Sequence, residues 1–229
     1  MKKIIALIIA VSCILVLASC GGGENEVDIV GAMFENSKPT KTVIGTTQTF
    51  GETTLEGNYT LLTGLVDGAN AAVYEATYEE MLSVEDGATE IIQGNIAERY
   101  QLLEYLAGYG VRESDGVTVG EWDSTAENFA ANAGPMEIKL SSGYVKTFVY
   151  ENNKLRCIVP AANTAEVLGL EQDLAVDATI EVTDDGASIT SVIINYTLPA
   201  DEESEVPETE IEIKAFYYYD LQEIVIDVE

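Results

Sequence analysis

The chain contains no histidine. That absence removes the commonest general base, the histidine-dependent catalytic triads and the zinc motifs that need imidazole. Cysteine is nearly as scarce, with only Cys13, Cys20 and Cys157 present. Three thiols, two of them within the first 20 residues, are too few for a disulfide framework. Basic residues are few as well: 11 lysines and arginines face 40 acids, for a net charge of −29. A field of that sign repels nucleic acid and anionic lipid headgroups, so no nucleic-acid partner is expected. The nucleophile-elbow, phosphate-loop and S-x-x-K patterns are absent. Gly108-Tyr109-Gly110 begins like a dinucleotide loop but lacks the third glycine. Asp184-Asp185-Gly186 lacks the alternating acids of a calcium-binding loop and reads as a turn. No catalytic residue, no cofactor site and no metal site is assigned. With 40 acids any carboxylate pair can be picked, so a two-carboxylate hydrolase stays a third reading without named residues.

What is present at the start is an address. Met1-Lys2-Lys3 is a short positive segment, and Ile4 to Ala18 is uncharged with one hydroxyl, Ser12. This is the pattern of a signal-peptide apolar region. It ends before the roughly 20 residues that a spanning helix requires. Leu17-Ala18-Ser19-Cys20 closes the run and resembles the lipobox of bacterial lipoproteins. The resemblance implies that the Cys20 thiol receives a diacylglycerol group and that cleavage makes Cys20 the first residue. Residues 1–19 are then a signal peptide, 20–26 the lipidated cysteine with a flexible tether, and 27–229 a single β-rich domain. The implied place is the extracytoplasmic face of a bacterial cell membrane. Two or more acyl chains, palmitate among them, would give stable anchoring at about 0.8 kcal/mol per buried methylene.

Lys2 and Lys3 leave with the signal peptide and no acid does, so the 209 residues that follow Cys20 carry nine bases against 40 acids, a net charge of −31. That length is enough for one substantial core. The acids read as a solvated coat, with scattered calcium binding as the sharper alternative. Attachment to the membrane must come from the anchor rather than from a basic face. Cys157 is left alone, and Leu155 and Val159 share its strand face. It is expected to be a buried, inert thiol.

The remaining pattern is mostly of period two. Val27 to Glu35 predicts a short helix with Val27, Val30 and Phe34 on one face, stopped by Pro39. Thr42 to Phe50 predicts a strand, followed by one that aligns Leu55, Tyr59, Leu61 and Leu65. Val66-Asp67-Gly68-Ala69 signals a hairpin, and the returning strand sets Ala72, Tyr74, Ala76 and Tyr78 on one side. Glu85-Asp86-Gly87 reads as a turn and residues 88–106 as a strand, with a helix over Glu98 to Leu106 as the alternative. Ser124 to Glu127 is a capping box for a helix burying Phe129 and ending at Gly134-Pro135, just beyond Trp122. Tyr144 to Tyr150 and Lys154 to Val159 predict strands joined at Asn152-Asn153. Asn163 is placed as a helix cap, with Glu166, Val167 and Leu168 following and Gly169 closing. Leu174 to Val182, Val192 to Leu198 and Ile211 to Tyr219 predict strands, with an acidic loop over 200–208 and an edge strand from Ile224 to Val228. The alternation places Tyr217 and Tyr219 with Ile211 and Ile213 in the core rather than as a sugar platform.

The fold class expected is mainly β (α+β): a single curved antiparallel sheet, an incomplete barrel, with two or three short helices. The unit from Tyr144 through Val159 to the helix ending Val167-Leu168-Gly169, followed by Ala178 to Leu198, resembles LolA/LppX-like lipoproteins in its order of elements. More closely it resembles uncharacterised surface lipoproteins of gut Gram-positive bacteria. The resemblance implies a concave face, lidded by helices, that holds acyl chains. It transfers no ligand residue to this chain. The expected function is a non-enzymatic, membrane-anchored, monomeric lipoprotein binding an apolar ligand or lipid in its concave sheet. The alternative is a surface interaction protein with a filled core and a protein or glycan partner. Cavity volume separates the two, and a solid core behind Leu174, Val176, Val192 and Ile194 argues against lipid.

Only the thiol of Cys20 can form the thioether, so Cys20→Ala should lose labelled palmitate completely. Equal labelling of wild type and mutant would exclude the anchor.

Overall fold

The computed structural model describes residues 25–66, 68–83, 89–103, 106–113, 116–119, 138–170, 172–200, 207–220 and 223–225. Helix α1 spans Glu26–Asn36 and helix α2 spans Thr164–Leu168, the latter entered by a 3-10 turn at Ala161–Asn163. The strands are β1 Lys41–Phe50, β2 Thr53–Val66, β3 Ala69–Ser83, β4 Thr89–Leu103, β5 Leu106–Glu113, β6 Gly116–Val119, β7 Thr147–Glu151, β8 Lys154–Val159, β9 Ala178–Asp184, β10 Ile189–Leu198 and β11 Thr209–Tyr218. They form one antiparallel sheet in the order β6-β5-β4-β3-β2-β1-β11-β10-β9-β8-β7. Two meanders, β1 to β6 and β7 to β11, therefore share the β1–β11 border, where Lys41 pairs with Tyr218 and Thr49 with Glu210. The sheet is open, with β6 and β7 at its edges, as expected of an incomplete barrel. No described helix is long and apolar enough to cross a membrane.

Turn chemistry explains the short connections. Asn152 and Asn153 both have positive φ, at 54° and 59°, which suits the right-handed twist of the β7–β8 hairpin. Gly68 takes φ 86° between Val66 and Ala69, the terminal pair of the β2–β3 ladder. Between β9 and β10, Gly186 takes φ 90°, and Asp185 Oδ1 accepts from the amides of Ala187 and Ser188.

The main core lies on the inner face of β8 to β11, under α1 and residues 138–140. Val27 and Val30 of α1 are fully buried with Leu155, Ile180, Val182 and Val192. Burial of a side chain of this size stabilises the fold by roughly 1.5–3 kcal/mol. The helix begins one residue inside the expected tether, because the Asn25 side chain accepts the Val27 N–H at 2.9 Å and caps it.

Several sequence-based boundaries are corrected. β9 starts at Ala178, and Leu174 and Val176 lie half-buried in the preceding loop. Asp173 Oδ1 accepts from the Ala165 amide, Asp177 Oδ1 accepts from the Ala161 amide, and the Leu174 amide donates to Thr164 Oγ1 at 2.7 Å. This stretch spends its polar groups on α2 rather than on a ladder. Asn163 stands at the cap position, but its side chain donates instead to the Tyr144 carbonyl. Ser142 to Tyr144 form a turn, with the Tyr144 amide donating to the Ser141 carbonyl, and β7 begins only at Thr147. Two further strands, β5 and β6, follow β4, and Gly108-Tyr109-Gly110 sits inside β5. Of the expected edge strand from Ile224 to Val228, residues 224 and 225 are not in a strand, and a Cβ at Gly64 would meet Ile224 Cδ1, so they lie against β2; 226–228 lie outside the described residues. The expected turn at Glu85-Asp86-Gly87, Trp122, the helix from Ser124 to Pro135, the loop residues 201–206 and the leader with Cys20 lie outside the described residues.

Cys157 is 2% exposed, and burial pushes its thiol up to about 12. It stays protonated at neutral pH, so the native protein should react with a thiol reagent only through unfolding. Cys157→Ser should cost on the order of 1–3 kcal/mol by burying an unpaired hydroxyl, and Cys157→Ala less. Rapid labelling of the folded protein would contradict this.

Candidate functional site

Register places one row of inner-face residues across the β1–β11 border. Tyr217 lies opposite Thr42, Thr42 opposite Leu61 and Leu61 opposite Tyr74. The adjacent row runs Ala215, Ile44, Tyr59, Ala76. Behind Val192 and Ile194 this face is solid, both residues being at most 1% exposed within the main core. No acyl chain can lie along that part of the sheet.

Where α1 ends, the packing leaves a hollow of about 480 Å³. Phe34, Pro39, Ile138, Ile189, Tyr217 and Tyr219 supply most of its wall, Ser37 and Thr42 its polar side chains, with the exposed Glu35 and Lys139 alongside. Phe34 meets Tyr217 edge to face, with centroids 6.4 Å apart and planes at 78°, a favourable arrangement for two aromatic rings. Tyr219 donates its hydroxyl to the Ile189 carbonyl at 2.7 Å. The Tyr217 hydroxyl and Ser37 Oγ are both buried and have no hydrogen-bond partner among the described residues. Burial lifts the Tyr217 phenol above its ordinary value, with Tyr219 adding to the effect.

The position of α1 over this hollow is set by a missing side chain and a carboxylate. Gly31 lies against residue 140 so closely that a Cβ would overlap the Leu140 carbonyl oxygen. Asp28 accepts from the Ser142 amide at 2.7 Å and from the Ser142 hydroxyl at 2.8 Å. The Ser142 amide, more than its hydroxyl, holds the Asp28 carboxyl below its ordinary value. The Lys139 amide donates to the Val167 carbonyl, which ties the same segment to α2. At its far end α1 stops when the Ser37 amide donates to the Met33 carbonyl, two residues before Pro39.

Two other hollows are more polar. One, of about 570 Å³, places Phe50, Leu55, Tyr59 and Tyr78 beside Thr46, Gln48, Glu79 and Thr209. Its Tyr59 ring stacks on Tyr74 at 6.3 Å and on Tyr78 at 6.4 Å. These rings use their faces on one another. The other, of about 550 Å³, is lined largely by hydroxyls and acids, including Thr47, Thr49, Thr197, Glu210 and Glu212.

Ionisable groups are mostly spent on structure. Glu181 accepts from Lys154 Nζ and Arg156 Nε, and these bonds lower its pKa. Asp184 is the buried acid among the described residues, and it accepts from the Tyr150 hydroxyl at 3.0 Å and the Gly186 amide at 2.8 Å. No three acidic or cysteine side chains gather into a metal-holding group among the described residues. Of the residues singled out in the sequence, Tyr217 and Tyr219 line the hollow, Val192 and Ile194 fill the core, and Leu174 and Val176 fall in a loop. No sequence signal pointed to Ser37, since a serine two residues before a proline reads only as a helix end.

No protein-family model and no curated protein matches the chain. The crystal structure of Rv2717c from M. tuberculosis is similar at 10% identity, covering 77% of this chain and 89% of that one, with a TM-score of 0.25. A likeness at that score carries no argument about function.

Gly31→Ala must push α1 off residue 140 and should cost about 1–3 kcal/mol. Asp28 should act with pH. Its carboxyl is held below its ordinary value, so its stabilising effect is complete above 3.8 and is lost as pH falls through the lower folded value. Asp28→Asn should remove that acid-side dependence. Melts of wild type and both variants across pH test this, and unchanged melting of Gly31→Ala would contradict the close approach.

Proposed function

We propose that this chain is a lipid-anchored binding protein on the extracytoplasmic face of a bacterial membrane, and that it holds a small apolar ligand between α1 and the inner face of its sheet. The observation that carries the reading is the hollow of about 480 Å³ beside Tyr217, within the roughly 300–1,000 Å³ of ligand sites. The lipobox-like Leu17-Ala18-Ser19-Cys20 supports the anchor. The open sheet with a helix on its inner face supports the resemblance to LolA/LppX-like lipoproteins. The solid core behind Val192 and Ile194 limits the ligand to a small molecule or a short apolar segment. The protein's part is to exclude water and hold the ligand by contact, without covalent chemistry.

That same solid core favours a second reading, a surface interaction protein that meets a protein or glycan with its exterior. Native mass spectrometry of the full-length chain released from bilayer nanodiscs separates the two. A ligand-bound population is expected in wild type and should disappear in Ser37→Leu, which fills the hollow. Wild type carrying only its own mass would leave the surface reading standing.

A further inference from the structure

We propose that the hollow over β1, β2 and β3 is a second binding site, one that takes an organic cation: a protonated amine on a small hydrocarbon body. Its volume of about 570 Å³ lies within the range of ligand sites. It shares no lining residue with the hollow under α1 and stands independently of it. Strand register builds the site. Gly57 stands between Thr46 and Tyr78 in one inner-face row, and Gln48 pairs with Leu55 in the next. A Cβ at Gly57 would lie 2.6 Å from Thr46 Oγ1 and 2.8 Å from the Tyr59 hydroxyl oxygen. Two hydroxyl oxygens therefore converge where this row has no side chain of its own.

The charge of the wall has one sign. Glu56 and Glu79 line the hollow and no lysine or arginine does, while the exposed Glu208 lies between the lining residues Pro207 and Thr209. The chain as a whole carries −29. Such a wall attracts a cation and repels an anion. Glu79 sits where the β3–β4 register shifts between Tyr78 and Glu80, and its Oε2 accepts the Glu56 amide at 3.1 Å. That bond fixes the carboxylate against β2, and a carboxylate can accept several bonds more. An ammonium thus finds acceptors in Glu79, Gln48 and the two hydroxyls. Leu55, Phe50 and Pro207 offer apolar contact to the body. Tyr59 spends its ring on Tyr74 and Tyr78, whereas Phe50 pairs with no other ring among the described residues. The Phe50 ring is therefore available for cation–π attraction. No three metal-ligating side chains gather among the described residues, which favours an organic cation over a metal ion.

The test uses a matched pair, 2-phenylethylamine, which is a cation at neutral pH, and its uncharged analogue 2-phenylethanol. Each is dialysed to equilibrium against nanodiscs of zwitterionic lipid carrying the full-length chain, with uptake by empty nanodiscs subtracted. Salt at about 0.15 M screens exposed charges beyond about 8 Å and suppresses diffuse attraction. Wild type should bind the amine about tenfold more tightly than the alcohol, the fold-change expected for a hydrogen bond to a charged group. Glu79→Gln keeps an oxygen for the Glu56 amide, so the fold is retained; it should abolish the preference and leave the alcohol unchanged. Gln48→Lys alters an exposed residue and sets a cation in the same wall, and it should weaken amine binding about tenfold. Glu151→Gln, on the edge strand β7, removes an acid elsewhere and should change neither probe. Equal binding of the two probes to wild type would overturn the assignment. So would an amine preference that survives both Glu79→Gln and Gln48→Lys, or one lost equally in Glu151→Gln. Failure of both probes to bind wild type would overturn the site itself.

Discussion

The pairing of β1 with β11 is the constraint on which the rest of the structure depends. It joins strands from opposite ends of the chain through continuous register from Lys41↔Tyr218 to Thr49↔Glu210. Without it the two meanders would be separate sheets, each with another edge exposed. The loop it closes is long, yet each doubling of loop length adds only about 0.6 kcal/mol to the closure cost. Register matters more than loop length. A slip of one residue would send Tyr217 and Ala215 to the outer face and bring Phe216 and Tyr218 inward. The correct register sets Thr42 beside Tyr217 and Ile44 beside Ala215, so the core of one meander continues into the other.

The helix converts this face into a site. α1 buries Val27 and Val30 over the C-terminal meander, and Gly31 brings it down onto residue 140. Its last turn reaches beyond the solid core toward the β1–β11 border, where Phe34 meets Tyr217. There the packing opens. The same geometry therefore accounts for a filled core at one place and a hollow a few residues away.

Much of the architecture was legible in the sequence because period-two alternation and turn chemistry are local signals. The β7–β8 hairpin was readable from Asn152-Asn153, and β10 from Val192 and Ile194. The loop at Leu174 and Val176 was not, since its alternation imitates a strand while Asp173 and Asp177 hydrogen-bond to amides around α2. β5 was obscured by glycines that usually mark loops. The hollow was not legible at all. It depends on which residues meet across the border and where a helix comes to rest, and neither is encoded in local pattern. The role of Cys20 presents the reverse case: the sequence motif alone speaks for it, outside the described fold.

The central claim is that the inner face beside Tyr217 contains apolar space able to receive a ligand. Diffraction from crystals under xenon pressure tests this most directly, because xenon collects in apolar cavities. Xenon density is expected between Phe34, Ile138 and Tyr217, and should be lost in Ser37→Leu. An experimental structure in which side chains close this space and no xenon enters would contradict the account.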